Sequence, residues 1–183
     1  AILTCTRQNE CGAQRLRKER YAMLLYHGSN VEVSEPRIIV TSRTLDFGAG
    51  FYTTSDLGQA RRWAELQTRR RGSGSVTVSV FEYDGSASQR LSVRSFSGAS
   101  AEWLDFVSEN RKATYRGKKY DIAIGPVAND NTMPVISDYM SGAIDRETAI
   151  VLLRPQKLTD QYAFLTAAGL GFLHYVETRH YDE

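Results

Sequence analysis

Strand-like runs in this chain are short and sit among helical segments in no regular alternation, and that order constrains the fold more than any other feature of the sequence. The apolar run Met23-Leu24-Leu25-Tyr26 delivers His27 into a turn-like Gly28-Ser29-Asn30. Arg37 to Thr41 is a second, β-branched run. Phe47-Gly48-Ala49-Gly50 places two glycines ahead of Phe51-Tyr52-Thr53-Thr54, so a tight turn should feed a short strand. Ser55 then reads as a helix N-cap with Asp56 in the first turn. Leu57, Ala60, Trp63, Ala64 and Gln67 recur at helical spacing until Gly72-Ser73-Gly74. Val76 to Tyr83 alternates as a strand, Asp84-Gly85 turns it, and Leu91 to Phe96 is a further strand candidate. Ser100 caps a helix striped with Trp103, Leu104, Phe106 and Val107, and Tyr120 to Val127 returns to strand. After the polar loop Asn129 to Thr132, two short helices are expected over Val135 to Gly142 and Arg146 to Leu153. Leu158 to Leu165 reads as a strand and Ala167 to Glu177 as a closing helix. The serine-rich stretches 72–75 and 85–100 read as surface connections. Six or seven strands among four or five helices, without strict strand–helix–strand repetition, predict an α+β fold and not a doubly wound sheet.

The length of 183 residues fits one domain, expected over 21–183, preceded by a basic arm over 1–20 that holds Arg7, Arg15, Arg17, Lys18 and Arg20. With 42% hydrophobic residues the chain can bury a core without staples. No apolar run approaches the roughly 18 residues of a membrane span. Cys5 and Cys11 would close only a tiny loop, and His27, His174 and His180 stand without CxxC or HExxH spacing, so no metal is expected. The N-terminal stretch lacks the apolar core of a secretory signal, which predicts a cytoplasmic protein or one delivered into a target cell's cytosol. A net charge of +2 demands no nucleic-acid partner. The local cluster Arg61, Arg62, Arg69, Arg70 and Arg71 reads as a solvated helix end favoured by the macrodipole.

Familiar catalytic signatures fail. Gly48-Ala49-Gly50 begins like a dinucleotide loop, but Tyr52-Thr53 follows where a helix should open; Walker A and GxSxG are absent. What the chain does carry is an ordered triple: a strand into His-Gly-Ser, a glycine turn into Phe-Tyr-Thr-Thr plus helix, and a late strand with Asp160-Gln161-Tyr162. Leu25-Tyr26-His27-Gly28-Ser29 resembles the first motif of the H-Y-E branch of ADP-ribosyltransferases, the diphtheria-toxin and poly(ADP-ribose) polymerase branch. Gly48 to Thr53 resembles its Gly-x-Gly-Ile-Tyr-Phe motif, followed eleven residues after Tyr52 by a second aromatic, here Trp63. Asp160-Gln161-Tyr162-Ala163 is similar to the third motif, Asn-Glu-Tyr-Ile, with Gln161 at the glutamate. A closer likeness is to a bacterial family of unknown function with an ADP-ribosyltransferase-like fold, sharing the His-Gly-Ser, Phe-Gly-x-Gly-Phe-Tyr-Thr-Thr, Ala-Asn-Asp and Asp-Gln elements over about residues 23–176.

The resemblance implies a split β-sheet core with flanking helices and NAD as co-substrate in the cleft. His27 would hydrogen-bond a ribose, backbone groups of Gly28 would pair the nicotinamide carboxamide, and Tyr52 and Trp63 would flank the ring, with Ser29 and Thr53 as further contacts. Gln161 departs from the pattern: an amide keeps a hydrogen bond but supplies neither charge nor base, which disfavours poly(ADP-ribose) chain growth. Asp160, its neighbour, faces the other side of a strand, so Asp130 on the polar loop is the carboxylate expected to compensate. The activity implied is mono-ADP-ribosyl transfer to a macromolecular acceptor, a protein before a nucleic acid, as in a bacterial toxin or effector with an antitoxin or chaperone as a further partner. The alternatives are an NAD glycohydrolase and an NAD-binding or protein-interaction module without turnover. A nucleotidyl or RNA-phosphate transferase on the same fold lacks the paired arginines expected for a 2′-phosphate.

Overall fold

The computed structural model describes residues 22–40 and 44–182. The basic arm and both cysteines lie outside the described residues, as does the end of the Arg37 to Thr41 run.

The architecture is α+β, with two sheets and helices outside both. Strands β1 (Ala22–Ser29), β3 (Val76–Asp84) and β7 (Leu173–Tyr181) form an antiparallel sheet in the order β1-β3-β7. Strands β2 (Phe51–Thr53), β4 (Val93–Ser95), β5 (Ile122–Pro126) and β6 (Asp160–Phe164) form the second, in the order β2-β6-β5-β4, with only the β4–β5 pair parallel. Among the described residues one bridge joins the sheets: Tyr26 and Thr54 exchange both backbone hydrogen bonds, at 2.8 and 3.0 Å.

Side-chain alternation along these strands sorts the core into layers. Leu25, Phe51, Phe81, Tyr83, Ile122, Phe164 and Leu173 fill the space between the sheets. Fully burying each of the phenylalanines stabilises by about 1.5–3 kcal/mol. Helix α1 (Leu57–Arg71) packs Ala60 and Ala64 on Val76 and Val78 on the outer face of the first sheet. On the far side, α2 (Ala101–Arg111), α3 (Met133–Ser141) and α4 (Arg146–Leu153) bring Trp103, Leu104, Val107, Ile136 and Leu153 against Ala123 and Ala163.

Several sequence expectations are corrected. The closing helix shrinks to α5 (Ala167–Leu170), and the rest becomes β7, because Gly171 ends the helix and the following residues pair with the full length of β3. The described part of the Arg37 to Thr41 run contributes an isolated bridge, Ile39 to Gly50, and no strand; Ile39 and Val40 are exposed and have no core to pack on. Ser55 is not the cap of α1: Asp56 accepts from Gln59 N at 2.9 Å, while the Ser55 hydroxyl donates to Asp160. The stretch 85–100 is ordered as a 3-10 helix, Gly85–Gln89, followed by β4.

Candidate functional site

His27 sits near the end of β1, where the two sheets part. Its Nδ1 lies 2.7 Å from the carbonyl oxygen of Tyr52. A carbonyl only accepts, so Nδ1 carries the proton and Nε2, with no partner among the described residues, is the acceptor of a neutral ring. The ring stacks on Phe51 with centroids 4.4 Å apart. Burial pulls its pKa below the ordinary 6.5, against the opposing effect of the Tyr52 carbonyl, so the neutral form prevails at physiological pH.

Backbone alternation gives Gly28 a special edge. Because Tyr26 spends its N–H and C=O on Thr54, Leu25, His27 and Ser29 direct theirs to β3, and Gly28 directs its pair to the same edge as Tyr26. Past Thr54 the segment paired with β1 leaves the sheet to enter α1, so no described strand covers that pair. The residue must also be glycine: a Cβ there would lie 1.9 Å from the carbonyl oxygen of Ala60.

Tyr52 faces the other side of its sheet, with its hydroxyl held in the preceding turn. It donates to Gly48 O at 2.7 Å and accepts from Phe47 N at 3.1 Å. Gly48 makes the turn possible with a φ of 93°. Burial, more than any other influence, raises the phenol pKa well above its usual 10.0. Thr53 is buried and donates to Tyr162 O, and the Ser29 hydroxyl accepts from Val31 N.

Gln161 is buried on the same face as Tyr52, because Tyr52 pairs with Ala163 and Gln161 follows two residues away. His27, stacked on Phe51, stands at the opposite face. The backbone of β2 thus joins the two groups, and no side-chain hydrogen bond among the described residues does. Both N–H groups of Gln161 are used: Nε2 lies 2.9 Å from Asp46 Oδ2 and 3.1 Å from Pro126 O. Asp46 is itself buried, pairs with Arg111 through Oδ1, and accepts from Ala128 N at 3.0 Å through Oδ2.

The carboxylate beside Gln161 is therefore Asp46 and not Asp130, which is exposed on its loop. That loop is built by Asn129, whose side chain accepts from the backbone N–H of Asn131 and Thr132. Asp46 carries a faint sequence signal, since it immediately precedes the Phe47-Gly48-Ala49-Gly50 turn; Arg111, at the end of α2, carries none. Asp160 faces away from Gln161, as strand alternation requires, and ties β6 to the start of α1 through Thr54 and Ser55. Trp63 is 43% exposed on α1, with the Arg70 guanidinium 6.0 Å from its ring, and is not in stacking contact with Tyr52. Among the described residues no group of His, Cys, Asp and Glu could hold a metal ion, and no helix is long and apolar enough to cross a membrane.

Fold and site together define an α+β protein whose two sheets part beside a strand edge unpaired at Gly28 and a neutral histidine. A family model described as protein of unknown function (DUF3990) matches residues 23–175, and the chain belongs to that family. Curated proteins and solved structures return no match to it.

Proposed function

We propose that this chain is an NAD-dependent mono-ADP-ribosyltransferase that modifies a protein acceptor, in the role of a bacterial toxin or effector. The observation that carries this reading is the N–H and C=O of Gly28, which no described strand pairs, beside the Nε2 of His27. A donor and an acceptor side by side on one strand edge complement a primary carboxamide, which offers the same two functions in reverse. The bare Nε2 suits a ribose hydroxyl, and the half-exposed indole of Trp63 supplies a flat face for a planar ring.

In the reaction, the bond between the ribose C1′ and the nicotinamide nitrogen breaks, and nicotinamide leaves with the electron pair. The acceptor's nucleophile then bonds C1′ and gives up its proton. Because the leaving group departs neutral, much of the demand on the protein is for a fixed, bent dinucleotide, which rigid strand-borne groups can meet. Gln161 supplies no base, so a second reading follows from its fully engaged amide N–H groups: a module that binds NAD without turnover.

The test is nicotinamide release from NAD by wild type and His27→Ala, with labelled NAD offered alongside a cell lysate. Label on a protein band, lost in His27→Ala, is the expected result. Release without label assigns a glycohydrolase, binding without release assigns the second reading, and no binding rejects NAD as the ligand.

A further inference from the structure

The outer edge of β7 runs for nine residues with no described strand beside it. The end strands of the second sheet, β2 and β4, have only three residues each, and β1 is bridged to Thr54. We infer that the β7 edge pairs with the same edge of a second copy of this chain, antiparallel about a two-fold axis at Thr178, so that two three-stranded sheets become one of six strands. This interface is independent of NAD.

Strand alternation fixes which groups of β7 are free. Leu25, His27 and Ser29 direct their N–H and C=O to β3, so their partners Phe81, Ser79 and Thr77 point back at β1. Val76, Val78 and Val80 then point at β7, where they meet Tyr181, Arg179 and Glu177. The N–H and C=O of Thr178 and His180 are left directed outward. Beyond the bulge at Val176, the bond from Asp84 N to Phe172 O at 3.0 Å keeps the same alternation on β3.

Side chains select a second copy as the occupant and Thr178 as its axis. Edges that must stay single are commonly guarded by lysine or proline, and Leu173 to Tyr181 contain neither. Instead Glu177 and Arg179 stand two residues apart on one face of the strand, opposite Val80 and Val78, and contact each other at 2.7 Å. Such a pair of opposite charges is its own complement. An axis at Thr178 sets Thr178 against the partner's Thr178 as a hydrogen-bonded pair and sets each Glu177 against the partner's Arg179. An axis one residue to either side would oppose Glu177 to its own copy or Arg179 to its own copy, and like charges directly opposite are destabilising. The Thr178 hydroxyl lies on the other face, 2.9 Å from the Tyr175 hydroxyl, and leaves the edge clear.

The experiment is sedimentation velocity of the full chain from about 1 to 300 μM, at low ionic strength, where exposed charges are least screened. Wild type is expected to pass from monomer to dimer across that range. Arg179→Glu sets carboxylates against carboxylates at both symmetric contacts and is expected to raise the dimer Kd at least about tenfold. Combining Glu177→Arg with Arg179→Glu restores opposite signs across the axis and is expected to bring Kd back to within about threefold of wild type. Thr178→Pro removes an N–H that no strand of the monomer uses, a change that edge strands tolerate, and is expected to abolish the dimer while Tm stays near wild type. Should the proline variant fail to fold, the charge reversal and its swap decide alone. A wild type that stays monomeric across the range overturns the inference. So does a dimer that persists in folded Thr178→Pro, or one with the same Kd in Arg179→Glu and in the swapped variant.

Discussion

The Nδ1 of His27 donates to the carbonyl of Tyr52 across 2.7 Å, a bond that joins β1 of one sheet to β2 of the other at the point where they part. It fixes the tautomer, and burial holds the ring neutral. A base whose pKa is depressed by folding binds fewer protons folded than unfolded just below its ordinary value of 6.5. Its contribution to stability is therefore full above that value and declines as pH falls toward the folded pKa. Wild-type Tm should drop on acidification from about pH 7 to 5, and His27→Gln should flatten part of that drop. Thermal melts of both proteins across that window check it; parallel curves would contradict a depressed histidine.

Gly28 faces a different constraint. Its Cα lies against the first turns of α1, so a methyl group there would overlap Ala60 O at 1.9 Å and Ala60 C at 2.9 Å. Backbone cannot swing aside as a side chain can, so Gly28→Ala must push α1 off the sheet. A loss of about 3 kcal/mol or more in urea unfolding is expected, at the upper end of overpacking penalties. Gly142→Ala, with open space around it but a φ of 80°, should lose only about 1 kcal/mol.

Much of this site was legible in the sequence, and the illegible part has a physical cause. His27, Gly28 and Tyr52 announced themselves because a strand ending in His-Gly-Ser and a glycine turn into aromatic residues are local patterns. The α+β class followed from element order, and Arg146–Leu153 matches the expected helix residue for residue. Asp46 and Arg111 stayed hidden because their pairing spans 65 positions and depends on the turn at Gly48 meeting the end of α2. The same holds for β7: Ala167 to Glu177 has helix-compatible apolar spacing, and only the nine-residue edge of β3, placed far upstream, makes a strand the better partner. Ser55 was misread as a cap because a serine before an aspartate offers two capping groups, and Asp160 claims the serine.

Asp160 accepts from Thr54 Oγ1 at 3.0 Å, Ser55 N at 2.8 Å and Ser55 Oγ at 2.5 Å, fastening β6 to the segment that opens α1. Hydrogen bonds to a charged acceptor are worth about 1.5–3 kcal/mol where water does not compete, and Ser55 is exposed, which reduces the figure. Asp160→Ala should therefore lower stability by about 2 kcal/mol. Ser55→Ala, which keeps the backbone donor, should lower it by about 1 kcal/mol. Urea titrations of the two variants give the comparison, and an equal loss in both would show that the Ser55 backbone and Thr54 contacts contribute nothing.

The two tryptophans offer a way to separate binding from stability. Trp103 is fully buried with its indole N–H bonded to Pro126 O, so a ligand in the cleft cannot reach it; Trp63 is 43% exposed on α1. Replacing an exposed side chain away from caps and ion pairs changes stability by about 0.5 kcal/mol or less. If Trp63 closes over a planar ring, its fluorescence should be quenched by NAD, and Trp63→Phe should remove that quenching while Tm stays near wild type. Trp63→Ala should weaken NAD binding by about 0.5–1.5 kcal/mol, a factor of roughly 2 to 13, through loss of the aromatic face. Quenching that survives in Trp63→Phe would place the ligand against Trp103 and require the helices over the second sheet to open. Unchanged affinity in Trp63→Ala would leave the ring to be held by the Gly28 edge without an aromatic lid from α1.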